Sequence, residues 1–113
     1  MAILIYHTII ENNPKLITAY NHLSALYMNI GDFKAAGCVF SQILKVNPDF
    51  SKAYLGMAIC FDKMKQSSRA LHYYKMFLKR KPHSHHAMKI KKRISKLNNT
   101  KQQENTQRSF AVV

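Results

Sequence analysis

Three prolines at one spacing limit the fold of this chain more than any other sequence feature. Pro14, Pro48 and Pro82 follow one another at steps of 34 residues. A proline cannot continue a helix, and it pushes the residue before it towards extended geometry. The three prolines therefore divide the chain into segments of equal length, separated by breaks in the backbone.

Side chains between the prolines repeat with the same period. From Pro14 to Pro48 the recurring positions hold Tyr20, Leu23, Ser24, Tyr27, Ala36 and Phe40, and 34 residues later they hold Tyr54, Met57, Ala58, Phe61, Ala70 and Tyr74. Half of the pattern precedes the first proline, at Ala2 and Tyr6. This pattern resembles the tetratricopeptide repeat, a helix-turn-helix unit of about 34 residues that stacks into a superhelix.

The resemblance implies an all-α fold, a right-handed superhelix or solenoid of stacked antiparallel helix pairs. Residues 1–13 correspond to the second helix of an incomplete repeat, 14–47 and 48–81 to two complete repeats, and 82–97 to a C-terminal capping helix. No apolar residue occurs from 98 to 108. Such a segment cannot bury surface to offset the entropy of ordering, so we expect a disordered polar tail at 98–113.

Turn residues support a helix pair in the first complete repeat. The apolar spacing predicts helices over about 16–30 and 33–46. Gly31 can take the left-handed conformation that commonly ends a helix, and Asp32 can cap the next helix.

The second complete repeat lacks this glycine. Helices are predicted over about 51–64 and from the following turn to residue 79, but Lys65 and Gln66 stand at the turn. Capping then falls to Ser67 or Ser68. A side chain at a left-handed position costs on the order of 1 kcal/mol.

The predicted N-terminal helix, over residues 1–12, has apolar residues on more than one side. The face towards the next repeat consists of Ala2, Tyr6, Ile9 and Ile10. The sides where an upstream helix would pack hold Met1, Leu4 and Ile5. Three explanations stay open: a longer protein that continues upstream, self-association through this helix, or a partner helix.

The net charge of +13 is concentrated in the second half of the chain. Residues 1–48 contain three basic and two acidic side chains, whereas residues 49–97 contain thirteen basic and two acidic ones. This asymmetry favours an acidic partner, which can be a protein segment, a nucleic acid or an anionic membrane surface. Tyr73 and Tyr74, beside the basic 75–96 region, lie at core spacing rather than as base-stacking platforms, so we rank nucleic acid below protein.

No catalytic function is predicted. The 113 residues leave no room for a separate catalytic domain, and five acidic side chains provide no recognisable set of nucleophile, base and orienting acid. Cys38 and Cys60 lack metal-ligand or redox-motif spacing, and no segment resembles a secretory signal. No apolar run approaches the roughly 20 residues of a transmembrane helix. We expect a cytoplasmic, non-enzymatic protein without a cofactor.

The histidines His83, His85 and His86 lie close together, near the predicted start of the last helix. Imidazoles bind transition metals, but no cysteine or carboxylate lies beside these three. A turn without a metal is therefore the preferred interpretation.

The resemblance also predicts where a partner binds. Tetratricopeptide repeats usually hold a peptide or helix in the concave groove lined by the first helix of each pair. The corresponding residues are Thr18, Asn21, His22, Ala25, Met28 and Asn29, then Lys52, Leu55, Gly56, Ile59, Asp62 and Lys63, and finally His86, Lys89 and Arg93. We expect an apolar floor around Ala25, Leu55 and Ile59 and a basic end, suited to an acidic or amphipathic segment of another protein.

One group of these proteins grips the acidic C-terminus of heat-shock chaperones with two asparagines and three basic residues. The first lysine corresponds to Asn21, the asparagines to Ala25 and Gly56, and the last two basic residues to His86 and Ile90. The clamp is absent, so the sequence argues against that function.

Overall fold

A computed structural model shows six α-helices and describes the backbone of residues 2–112 and the side chains of residues 2–99. The helices are α1 (Ala2–Asn12), α2 (Ile17–Ile30), α3 (Phe33–Val46), α4 (Ser51–Lys63), α5 (Ser67–Arg80) and α6 (Ala87–Val112). No strand occurs in the described backbone. The predicted all-α fold is confirmed.

The helices pack mainly against their neighbours in sequence. α2 pairs with α3 and α4 with α5, while α3 on α4 joins the two pairs, and α1 and α6 lie at the two ends. This is the nearest-neighbour packing of a helical repeat protein, in which each unit buries its apolar face only by stacking on the next one.

Two apolar clusters form the core, and they include several of the recurring residues. One contains Tyr20, Leu23, Val39, Ile43 and Ala53, and the other contains Tyr54, Ala58, Ala70, Leu71, Tyr74, Phe77, Ile90 and Leu97. Ala36 and Ala70, at equivalent positions, are completely buried. A larger side chain at either alanine would separate the two helices of its pair, which explains why the repeat has a small residue there.

The recurring tyrosines bond to the recurring prolines. Tyr20 donates its hydroxyl to the carbonyl of Pro14 at 2.7 Å, and Tyr54 donates to the carbonyl of Pro48 at 2.9 Å. Each tyrosine is buried, so the bond satisfies a hydroxyl that water cannot reach. It also connects the start of each repeat to the core of the same repeat.

The turn between α2 and α3 has the predicted geometry. Gly31 lies in the left-handed region at φ 81°, and its N–H donates to the Met28 carbonyl. The carboxylate of Asp32 accepts a hydrogen bond from the N–H of Ala35 at 3.1 Å. The glycine ends one helix and the aspartate caps the next, as the sequence indicates.

The turn between α4 and α5 keeps this geometry without a glycine. Lys65 takes a left-handed φ of 61°, and its N–H donates to the Asp62 carbonyl at 3.0 Å. The prediction that Ser67 or Ser68 caps α5 is wrong. Gln66 is the capping residue, and its side chain accepts from Arg69 at 3.2 Å instead of from the backbone. Packing of α4 on α5 therefore imposes a conformation that lysine disfavours.

The packed face of α1 includes Ile3 in place of the predicted Ala2. Ile3, Tyr6 and Ile10 pack against the first cluster, whereas Ala2 is exposed. On the other side Leu4 is 67% exposed and Ile5 is 58% exposed. The predicted role of Met1 lies outside the described residues. The exposed apolar side of α1 is thus present, and what covers it stays a prediction.

The last helix starts later and continues further than predicted. It begins at Ala87, and the hydroxyl of Ser84 accepts from the N–H of His86 at 3.2 Å in the preceding turn. Its bounds run to Val112, beyond the predicted end at residue 97. Most side chains of residues 98–113 lie outside those described, so the expected disorder of this segment stays a prediction.

Replacing Lys65 by glycine is predicted to stabilise the fold. Glycine adopts a positive φ without the steric cost that a side chain carries, so the free energy of unfolding should rise by about 1 kcal/mol. Urea denaturation measures this change. The control is Lys75→Gly in the middle of α5, which should lower the free energy of unfolding by about 1 kcal/mol. A loss of stability in both variants would contradict the strain at Lys65.

Candidate functional site: a two-cavity groove

Two adjoining cavities open along the first helices of the repeats. The first cavity, of about 330 Å³, is lined by Asn21, Ser24, Ala25, Met28, Asn29, Phe40, Lys52, Leu55, Gly56 and Ile59. The second cavity, of about 280 Å³, is lined by Leu55, Ile59, Tyr74, His86, Lys89, Ile90 and Arg93. Because they share Leu55 and Ile59, the two cavities form one groove across α2, α4 and α6.

The lining of the first cavity is mostly apolar, and its buried polar groups already have partners. Ser24 is buried and donates its hydroxyl to the Asn21 carbonyl at 2.8 Å. The thiol of Cys60 donates to the sulfur of Met28 at 3.4 Å. Burial raises the pKa of the Cys60 thiol to about 11, so it stays protonated at neutral pH. This cavity therefore suits an apolar group better than a charged one.

A close contact between Phe40 and Gly56 shapes the wall of the first cavity. A Cβ atom placed on Gly56 would overlap the Phe40 ring. The ring thus occupies the space that a side chain at position 56 would need, and it also lines the cavity. Only glycine permits this approach of an α3 ring to the α4 backbone.

An ion pair joins α4 to α6 beside the second cavity. Arg93 donates to both carboxylate oxygens of Asp62, at 2.7 Å from Nε and 2.6 Å from a terminal nitrogen. The hydroxyl of Tyr74 donates to the same carboxylate at 2.8 Å. Asp62 is 12% exposed and Arg93 is 45% exposed, so solvent screens the pair only in part. The three groups connect α4, α5 and α6 at the end of the groove.

The network changes the acidity of its members. Hydrogen bonds from Arg93 are the largest influence and lower the pKa of Asp62, partial burial opposes them, and the Tyr74 hydrogen bond lowers the pKa further. Burial is the main cause that raises the pKa of Tyr74, and its bond to Asp62 adds to the effect. Asp62 is therefore a carboxylate at neutral pH, and Tyr74 is a neutral donor.

The ion pair also changes which groove charges face a ligand. Arg93 was predicted to belong to the basic end, but its charge is balanced by Asp62. Lys52 at the first cavity and Lys89 at the second remain exposed, as does His86. The groove thus presents an exposed lysine at each cavity and the apolar side chains Leu55 and Ile59 where the two cavities meet.

Most of the predicted groove residues come together in the two cavities. Those that line the cavities are Asn21, Ala25, Met28, Asn29, Lys52, Leu55, Gly56, Ile59, His86, Lys89 and Arg93. Thr18 and Lys63 are exposed and do not line either cavity. His22 stacks on Tyr6 instead, with ring centroids 5.4 Å apart, and so belongs to the contact between α1 and α2.

Sequence reasoning missed some of the lining residues. Ser24, Phe40, Tyr74 and Ile90 were assigned to the core or to no site, yet each forms part of a cavity wall. One signal was present in the sequence: Gly56 lies inside a predicted helix, and an internal glycine often marks a close approach. The partner of that approach, Phe40, was not evident from spacing.

The described residues include no group of three or more metal-binding side chains close enough to hold an ion. The rings of His85 and His86 do lie close, with centroids 4.1 Å apart. Nor does any helix among the described residues have the length and apolar character needed to span a bilayer.

Comparison with known proteins shows which fold this is. No protein-family profile matches the sequence. One similar structure is the first TPR (tetratricopeptide repeat) domain of Spaghetti (RPAP3), bound to the HSP90 peptide SRMEEVD. It superposes with a TM-score of 0.75 at 16% identity, over 87% of this chain and 75% of that one. The TPR2B domain of yeast Sti1, in a complex with pHsp70, gives 0.74 at 18% identity, over 87% and 81%.

A third similar structure is MamA from Desulfovibrio magneticus RS-1. Its TM-score is 0.75 at 16% identity, over 92% of this chain and 57% of that one. At these identities the similarity concerns the fold. The resemblance to the tetratricopeptide repeat fold, which the spacing of prolines and aromatic residues predicts, is confirmed.

Replacing Asp62 by asparagine should lower the free energy of unfolding by about 1 kcal/mol at neutral pH, because Arg93 and Tyr74 lose a charged acceptor. The folded pKa of Asp62 is lowered, so its contribution is complete above the ordinary value of about 4 and is lost as the pH falls through the folded pKa. The stability difference between wild type and Asp62→Asn should therefore shrink as the pH falls below about 4.

Urea denaturation at pH 7, 5 and 3 measures this dependence. The control is Asp49→Asn, which changes the same group at an exposed position in the turn before α4. A difference between wild type and Asp62→Asn that stays constant over this range would contradict the assigned network.

Proposed function

We propose that this chain is a non-catalytic protein-interaction module that holds a segment of another protein in the two-cavity groove. The observation that carries this proposal is the continuity of the groove. Its two cavities share Leu55 and Ile59, and three successive units of the stack contribute to it. Two proteins with a similar fold, Spaghetti and Sti1, were solved with chaperone peptides, which supports a binding rather than a catalytic role.

The partner segment is proposed to be acidic or amphipathic. Lys52 is exposed at the first cavity and Lys89 at the second, and Arg93 balances the nearby carboxylate of Asp62. The net charge of +13 adds long-range attraction for acidic partners. Such attraction mainly raises the rate of association, and salt weakens it.

The partner is not proposed to be held by the chaperone clamp. At the clamp positions, Ala25 and Gly56 line the first cavity, and His86 and Ile90 line the second. Ala25, Gly56 and Ile90 cannot donate a side-chain hydrogen bond to a carboxylate. Three of these clamp positions therefore hold residues that cannot form the clamp.

A second candidate function is binding of nucleic acid or an anionic membrane through the basic 75–96 region. Exposed cations away from the groove favour it, including Lys75, Lys79, Lys81, Lys91 and Lys92. Cationic surfaces of this kind bind phosphates with little sequence preference and strong salt dependence. We rank this candidate function below protein binding, and the two functions predict different effects of lysine substitutions.

The double variant Lys52→Gln and Lys89→Gln should weaken binding of a captured protein about fivefold at low salt and less at 0.5 M salt, since salt screens exposed charges. The matched control is Lys91→Gln and Lys92→Gln, which removes the same charge from exposed positions of α6 that do not line a cavity.

The experiment is affinity capture from lysate with and without nuclease, identification of the captured proteins, and titration of the strongest one against both variants. Protein binding in the groove predicts that the Lys52 and Lys89 variant alone loses affinity. If nuclease abolishes capture and the Lys91 and Lys92 variant is the weaker one, the basic surface rather than the groove is the functional site.

A further inference from the structure

Two small residues from different helices border the first cavity. Ala25 comes from α2 and Gly56 from α4, while Met28, Leu55 and Ile59 surround them. Gly56 lies within α4, where glycine is less favourable than alanine. The Phe40 ring fills the place of the missing side chain, so the sequence keeps a costly residue where it defines the cavity wall.

The size of this cavity fits one large apolar side chain. An apolar cavity of about 150 Å³ admits a benzene ring. The first cavity has about 330 Å³ and is open to solvent along the groove, so a leucine or phenylalanine side chain has room to enter. Entry removes apolar surface of both partners from water, which is favourable.

Buried polar groups at the cavity do not need a hydrogen bond from a ligand. The hydroxyl of Ser24 is already bonded within the fold, and the thiol of Cys60, which does not line the cavity, is bonded to the sulfur of Met28. No buried side-chain nitrogen or oxygen of the described residues lacks a hydrogen-bond partner. Asn21 and Asn29 contribute the remaining uncharged polar groups of the lining. An apolar group therefore enters without leaving a buried polar group unpaired.

Charge complementarity fixes the flanks of the ligand. Lys52 lines the first cavity, and Lys89 lies across the shared residues Leu55 and Ile59 in the second. A segment that places its apolar side chain in the first cavity passes both lysines. Acidic residues on either side of that side chain match these positions, and basic residues are disfavoured.

We propose that the first cavity is a specificity pocket for one leucine or phenylalanine side chain of an internal, acid-flanked segment of a partner protein. This inference rests on the proposed function of the groove and adds the residue type that is recognised. Recognition does not require a free C-terminal carboxylate, because Ala25 and Gly56 form an apolar wall rather than a carboxylate site.

The test is selection from a library of random twelve-residue peptides displayed with their C-termini fused to a carrier. Wild-type protein should enrich peptides with one leucine or phenylalanine flanked by aspartate or glutamate. In the strongest peptide, replacement of the apolar residue by alanine should weaken binding at least about tenfold. This substitution lies in the ligand and leaves the fold of the protein untouched.

Ala25→Trp should fill the first cavity and lower affinity for the same peptide at least about tenfold. Ala25 is exposed, so the larger side chain does not disturb the core. Ile30→Trp, at an exposed position of the same helix that lines neither cavity, should leave affinity unchanged. Circular dichroism confirms that both variants keep the fold.

Three results would overturn the inference: no enriched peptide, enriched acidic peptides without a shared apolar residue, or equal losses in the two tryptophan variants. None of these results contradicts the proposed function if binding of a lysate protein still depends on Lys52 and Lys89, since that protein would be recognised through other groups. Loss of that dependence is the result that overturns the proposed function itself.

Discussion

The stack depends on a hydrogen bond that occurs once in each complete repeat. Tyr20 bonds to the carbonyl of Pro14, and Tyr54 bonds to the carbonyl of Pro48. The proline separates one repeat from the next, and the tyrosine ring fills the core of its own repeat. The bond keeps the break between repeats at a constant position relative to the tyrosine ring in the core. The first helices of successive repeats therefore lie side by side. The groove between them is a consequence of that order.

The groove obtains its shape from small residues. Ala36 and Ala70 let the two helices of each pair approach, whereas Ala25 leaves space between successive first helices. Phe40 controls how much of this space stays open, because it packs over Gly56 from the second helix of its repeat. The binding surface and the core therefore share a side chain, and groove and fold are not independent.

Charged side chains border this groove. The Asp62 and Arg93 pair attaches α6 to α4 and balances one cation of a strongly basic region. What remains near the groove is a lysine at each cavity and an apolar floor. The net charge of the chain thus describes attraction at long range. What the groove can hold at contact depends on which charged side chains beside it are paired and which are exposed.

The sequence by itself determined that the chain forms helices and that Gly31 and Asp32 make a turn, because these features follow from residues a few positions apart. The recurrence of prolines and aromatic residues every 34 positions determined the repeat length. It also placed most groove residues through the resemblance. Only the tertiary structure decided that Phe40 packs on Gly56 and that Arg93 pairs with Asp62, since each contact joins different helices. It likewise decided the left-handed conformation of Lys65, where packing between α4 and α5 overrides the local preference of the residue.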